Sequence, residues 1–135
     1  MSDENVEIVR RAIAAATAKP PDVETINALY SPDHVLTSDW GVEGRTYHGT
    51  PGFIEAMTDL DAAWREWHQE VEDILDAGEK GIVVLVRLKA RGRESGALVQ
   101  QPWAMVVTLR NGKLIASHTF IERRRALEAV GLAES

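Results

Sequence analysis

The chain has 135 residues, 44% hydrophobic and 27% charged, which suits one globular domain built around a single core. Its net charge of −6 speaks against nucleic acid as a partner, because phosphate backbones need a basic face. Without cysteine there can be no disulfide, thiolate catalysis or thiolate metal site.

The acidic start Ser2-Asp3-Glu4-Asn5 carries no apolar stretch of a signal peptide, and the longest wholly apolar run, Ile82 to Val86, is too short for a bilayer. The expectation is a cytoplasmic protein that does not enter membranes. Behind that start, Val6, Val9, Ile13 and Ala16 recur at helical spacing and predict a first helix, stopped by Lys19-Pro20-Pro21. Asp22 can cap a second helix in which Val23, Ile26, Leu29 and Tyr30 face inward, until Ser31-Pro32-Asp33 breaks the pattern. His34 to Trp40 predicts a strand, and Gly41 to Gly49 a loop or short irregular strand.

Thr50-Pro51 reads as a helix start, a capping hydroxyl followed by proline in the first turn. Phe53, Met57, Leu60 and Trp64 form its stripe. Periodicity alone would carry this helix to Leu75. The alternation of His68, Glu70 and Glu72 with Trp67, Gln69 and Val71 argues for ending it near Arg65 and starting a strand near Trp67. After a turn at Ala77 to Gly81, Ile82 to Arg91 predicts a strand with Arg87, Lys89 and Arg91 emerging on one face. Gly92 to Gly96 predicts a hairpin loop, and Leu98 to Leu109 a strand in which Pro102 requires an edge or bulge. Asn111-Gly112 is a type I′ hairpin signal, Leu114 to Glu122 the closing strand, and Arg123 to Val130 a short helix stopped by Gly131.

This order predicts an α+β fold, with helices packed on a strongly curved, mostly antiparallel sheet around an internal pocket. With those elements placed, the chain resembles the SnoaL-like branch of the nuclear-transport-factor-2-like superfamily, which also holds the ketosteroid isomerases. The resemblance rests on Glu4 to Arg11, Ser38-Asp39-Trp40-Gly41, Tyr47-His48-Gly49 and Gly52-Phe53, followed by Ile74 to Gly78, Thr108 to Lys113 and the tail Ala126 to Leu132. It implies a single cone-shaped domain over residues 1–135, a homodimer formed through the outer sheet face, and a small hydrophobic molecule as the partner. Known members span isomerases, polyketide cyclases, epoxide hydrolases and proteins without known activity, so the fold does not name a reaction.

Asp39 is the candidate acid/base. It ends the first strand beside Trp40, near the position where the resemblance places an isomerase aspartate, and an apolar cavity would raise its basicity. Strand phase leaves Ser38 as the alternative inward residue, and a turn-capping aspartate before Gly41 is the plain structural reading. His118, on the last strand with Leu114, Ala116 and Phe120, is the candidate proton partner or else a structural histidine. Trp40, Tyr47, Met57, Trp64, Trp103 and Met105 are candidates for a ligand-binding wall, or equally for core. His48 reads as solvated, and His34 and His68 as structural or exposed. The resemblance also shows departures: Ala12 and Met105 stand where ketosteroid isomerases carry oxyanion-hole donors, and neither can donate a strong hydrogen bond. No HExxH or i, i+4 histidine pair marks a metal site, and no glycine-rich phosphate loop or nucleophile elbow is present. The expectation is cofactor-independent cyclase or isomerase chemistry, with a non-catalytic ligand-binding or dimerisation module as the alternative.

Overall fold

The computed structural model describes residues 2–38 and 45–132. Two helices, α1 (Ser2–Thr17) and α2 (Val23–Leu29), precede strands β1 (Tyr30–Ser38) and β2 (Arg45–His48). Helix α3 (Gly49–Ala63) leads into β3 (Trp64–Asp76), β4 (Ile82–Gly92), β5 (Leu98–Arg110), β6 (Lys113–Phe120) and a terminal helix α4 (Arg123–Ala129). The strands form one curved, open sheet in the order β2-β1-β6-β5-β4-β3, in which β1 and β6 run parallel and every other neighbouring pair is antiparallel.

Helices α1 to α3 cover one face, here called inner. Val9, Ala12 and Ile13 of α1, Ile26 of α2 and Phe53 of α3 pack there against Val84, Val86, Leu88, Trp103 and Val107 of the central strands. The alternation of buried and surface residues in β4 follows from its place between β3 and β5 with one face under helices. Helix α4 lies on the outer face, where Ala126 and Val130 pack on Val83 and Ala104. Its end follows the glycine expectation, since Gly131 takes a φ of 74° and Leu132 N–H returns to Leu127 O at 2.8 Å.

Local chemistry accounts for most of the element boundaries. Asp22 caps α2 through Thr25 N–H at 3.2 Å, as its position predicts. Val23 is 41% exposed and so departs from the inward set, while Ile26 is fully buried. Thr50 does not cap α3: the cap position falls two residues earlier, at His48, and the Thr50 hydroxyl donates to Asn27 Oδ1 at 2.5 Å instead. Helix α3 yields directly to β3 at Trp64, because pairing from Trp64 to Asp76 along β4 satisfies the backbone that a longer helix would have satisfied internally. Asn111 and Gly112 both take positive φ, as a type I′ turn requires. Pro102 is tolerated within β5 because β6 ends at Phe120, opposite Ala104, so β5 has a free edge there.

Two bulges shift the alternation of side chains. Glu72 is the extra residue of β3 between Val71 and Asp73, and it meets Arg87 of β4 and Arg123 of α4 on the outer face. Those guanidiniums hold the Glu72 carboxyl below its ordinary pKa, the Arg123 hydrogen bond most of all. With Glu70–Lys89 at 2.9 Å and Glu66–Arg91 at 3.8 Å, they form a cross-strand ladder of ion pairs on the outer face. In β6, Ile115 is the extra residue: Leu109 pairs with Leu114 and Thr108 with Ala116. Leu114 therefore joins the inner cluster while Phe120 joins the outer one, which corrects the single face expected for Leu114, Ala116 and Phe120.

The approach of α3 to β2 depends on a glycine. A Cβ on Gly52 would stand 2.8 Å from the Tyr47 carbonyl carbon and 2.9 Å from its Cβ, so α3 would have to move. Gly52→Ala gains helix propensity worth about 1 kcal/mol but is expected to lose about 2–3 kcal/mol to overpacking, because the new Cβ meets backbone, for a net loss of about 1–2 kcal/mol. A urea midpoint at or above that of the parent protein would refute this.

Candidate functional site

The inner face of β1 and β6 carries an unusual seam. His34, Ser38, Ser117 and Thr119 are the buried polar residues among the described residues, and all four lie on these two adjacent strands. Register explains the grouping, since Leu36 pairs with Ser117 and Ser38 with Thr119, so alternate residues of both strands point under the helices. His34 Nε2 and Ser117 Oγ share a 2.8 Å hydrogen bond, and the Thr119 hydroxyl donates to Ser38 Oγ at 3.2 Å. The His34 ring stacks on Phe53 with centroids 5.0 Å apart and meets Tyr30 edge-on at 4.9 Å. Burial in this aromatic nest holds the His34 pKa down at about 4, and burial also pushes the Tyr30 phenol upward.

Ser38 is the inward residue at the end of β1, 8% exposed and hydrogen-bonded within the seam. Asp39 and Trp40 lie outside the described residues. Tyr47 and Trp103 are buried in the inner cluster, and Met57, Trp64 and Met105 pack against it, so five of the expected residues, from four elements, share one cluster. Two of them have polar atoms tied to neighbours: the Tyr47 hydroxyl donates to Asp59 Oδ2 at 2.9 Å, and Trp103 Nε1–H to Gln69 Oε1 at 2.9 Å. Ala12 is fully buried and Met105 partly so in the same cluster, which leaves those two positions without a strong donor.

His118 is not on this side of the sheet. It pairs with Val106 on the outer face and stacks on Phe120 at 4.2 Å with nearly parallel planes, opposite in direction to its neighbours Ser117 and Thr119. Trp67 packs toward the helices: its Nε1–H donates to Asp61 of α3 at 2.6 Å, and Lys19 stands over its ring at 3.9 Å. Arg87 lies on the outer face against Glu72. Sequence reasoning missed the seam itself. A period-two count back from Ser38 reaches His34, but the same count along β6 from the Asn111-Gly112 turn fails at the Ile115 bulge. Among the described residues, no group of three or more His, Asp or Glu is placed to hold a metal ion, and no helix is long and apolar enough to cross a membrane.

An apolar wall beside a short row of neutral hydroxyl and imidazole groups, enclosed by three helices, is the interior this fold supplies. A model of the SnoaL-like domain matches residues 9–118. The chain belongs to the SnoaL-like family. Solved structures agree on the fold of this SnoaL-like domain. An NTF2-like protein of unknown function from Burkholderia pseudomallei K96243 is 20% identical with a TM-score of 0.72, covering 94% of this chain and 97% of that one. A protein of ketosteroid isomerase-like fold from Catenulispora acidiphila DSM 44928, solved in complex with trimethylamine, is 17% identical at a TM-score of 0.70, with 93% of each chain covered. TerC, co-crystallised with polyporic acid, is 17% identical at 0.72, covering 95% and 98%. No curated protein matches the chain in sequence.

Proposed function

We propose that this SnoaL-like domain binds a small hydrophobic molecule against the inner cluster and converts it by cofactor-independent acid/base chemistry of the cyclase or isomerase type, with Asp39 as the acid/base. The observation that carries the reading is the convergence of Tyr47, Met57, Trp64, Trp103 and Met105 on one cluster beside the buried end of β1. Asp39 follows Ser38 directly in the chain, and a carboxylate desolvated by that wall would be a stronger base than one in water. Trp40, next in sequence, would extend the wall. His118 enters this mechanism only if Asp39 turns to the outer face, because the sheet separates His118 from the seam. Two proteins of the same fold, crystallised with polyporic acid and with trimethylamine, support the fold as a holder of small molecules.

A non-catalytic ligand-binding module is the second reading. Its support is that the Tyr47 hydroxyl and the Trp103 indole N–H already have protein partners, so the wall offers a ligand shape more than hydrogen bonds. One experiment separates the two. Steroids, aromatic polyketides and terpenoid epoxides are screened by tryptophan quenching and thermal shift, and turnover of any binder is then followed in the parent and in Asp39→Asn. The enzyme reading expects a rate loss on the order of 10²–10⁴-fold. A loss below about tenfold removes Asp39 from the role, and binding without turnover leaves the module. A homodimer through the outer face belongs to the same proposal. Helix α4 covers that face around Val83 and Ala104 and leaves the Glu–Arg/Lys ladder of β3 and β4 open for contact, so sedimentation should give twice the chain mass.

A further inference from the structure

A second concavity lies at the edge of the interior cluster, between α1 and the edge strand β3, and the outer margins of Ile13, Trp67 and Val71 form its floor. It holds about 470 Å³, within the range of small-ligand sites. Ile13, Trp67 and Val71 supply its apolar surface, and Arg10, Lys19 and His68 its polar rim. Among the described residues, no aspartate or glutamate lines it, although the chain carries 21 acidic residues against 15 lysines and arginines. A cluster of cations in a chain of net charge −6 is a local departure that favours anions over cations. Two acidic groups stand close by: Glu7, 4.0 Å from Arg10 with both side chains more than half exposed, and Asp61, 2.6 Å from the Trp67 indole nitrogen.

The cations and the aromatic wall are held in position. Lys19 donates to the carbonyl of Trp67 and keeps its ammonium 3.9 Å from the centre of the indole ring. Asp61 takes the Trp67 Nε1–H and so fixes the ring from the α3 side. β3 is the last strand of the sheet, and Lys19 reaches the Trp67 carbonyl from its free edge. The N–H and C=O of one strand residue share a side, so the Trp67 N–H faces that edge as a further donor to an anion. We propose that this cleft binds a small aromatic carboxylate, with its ring against Trp67 and Ile13 and its charge between Arg10 and Lys19.

The test is calorimetric titration of 2-naphthoate and its uncharged analogue 2-naphthamide, at about 50 mM and about 300 mM salt, between which the Debye length falls from about 14 Å to about 6 Å. The acid is expected to bind roughly fivefold more tightly than the amide at low salt, the scale of an exposed charge contact, and to lose that preference at high salt. Arg10→Gln/Lys19→Gln should erase the preference and leave the amide unchanged. Arg10→Gln alone, at an exposed position, should reduce the preference if the double variant folds poorly. Met105→Ala, which opens the interior cluster, should leave both affinities alone. Equal affinities, no binding of either compound, a salt-independent preference, or a preference lost with Met105→Ala would each overturn the assignment.

Discussion

Trp103→Ala is expected to lower the unfolding free energy by about 3–5 kcal/mol, the range for removing a large aromatic side chain from a core. The indole is 5% exposed and sits on the inner face of β5, opposite Val86 of β4 and within the same cluster as the α1 to α3 side chains. Deleting it leaves a void between sheet and helices and strips Gln69 of the N–H it accepts from. Trp103→Phe keeps most of the volume but loses the N–H and two ring carbons, so a smaller cost of about 2–3 kcal/mol is expected from the unpaired partner and a small void. Urea unfolding of the two variants separates the terms. If Trp103→Ala cost under about 1.5 kcal/mol, the wall would have collapsed onto the vacated space. Trp103 would then be ordinary, compressible core, and the case for a shaped ligand surface would weaken. A large loss together with unchanged secondary structure is what a preformed wall requires.

The same residue illustrates what could be read from the sequence. The strand carrying Trp103, the turn at Asn111-Gly112, the cap at Asp22 and the stop at Gly131 are local signals, each set by backbone chemistry within a few residues, and each stands in the fold as expected. The gathering of Tyr47, Met57, Trp64, Trp103 and Met105 followed from placing their elements in the family's order. What could not be read depends on register. One bulged residue, Ile115, reverses the face of everything after it, so His118 lies outside while Ser117 and Thr119 lie inside. Thr50 had the sequence of a cap, yet its hydroxyl goes to Asn27 across a contact 23 residues distant. His34 carried no local mark at all: its burial arises from α3 bringing Phe53 over β1 and from β6 presenting Ser117.

His34 is expected to make the fold sensitive to mild acid. Its ordinary pKa of 6.5 is lowered to about 4 by burial, so the folded chain prefers the neutral ring. Above pH 6.5 both folded and unfolded chains are neutral at this site and stability is complete. As the pH falls from 6.5 toward 4, the unfolded chain takes up a proton that the folded chain refuses, and stability is lost by about 3 kcal/mol in all, roughly 2 kcal/mol of it by pH 5. The Glu72 contribution has the same sign but begins lower, because its depressed pKa matters only as the pH drops through the carboxylate range. Urea unfolding at pH 7.5, 6.5, 5.5 and 5.0 therefore isolates the histidine. Ser117→Ala removes the Nε2 partner and should cost about 1–3 kcal/mol at pH 7.5, since it leaves a second ring nitrogen buried without a hydrogen bond. His34→Leu/Ser117→Ala removes both partners together, should recover most of that loss, and should flatten the curve between pH 6.5 and 5. Parallel curves for the parent and the double variant would mean that the ring finds a proton-stabilising partner in acid. A neutral core histidine tied to Ser117 predicts instead that the two curves cross as the pH falls.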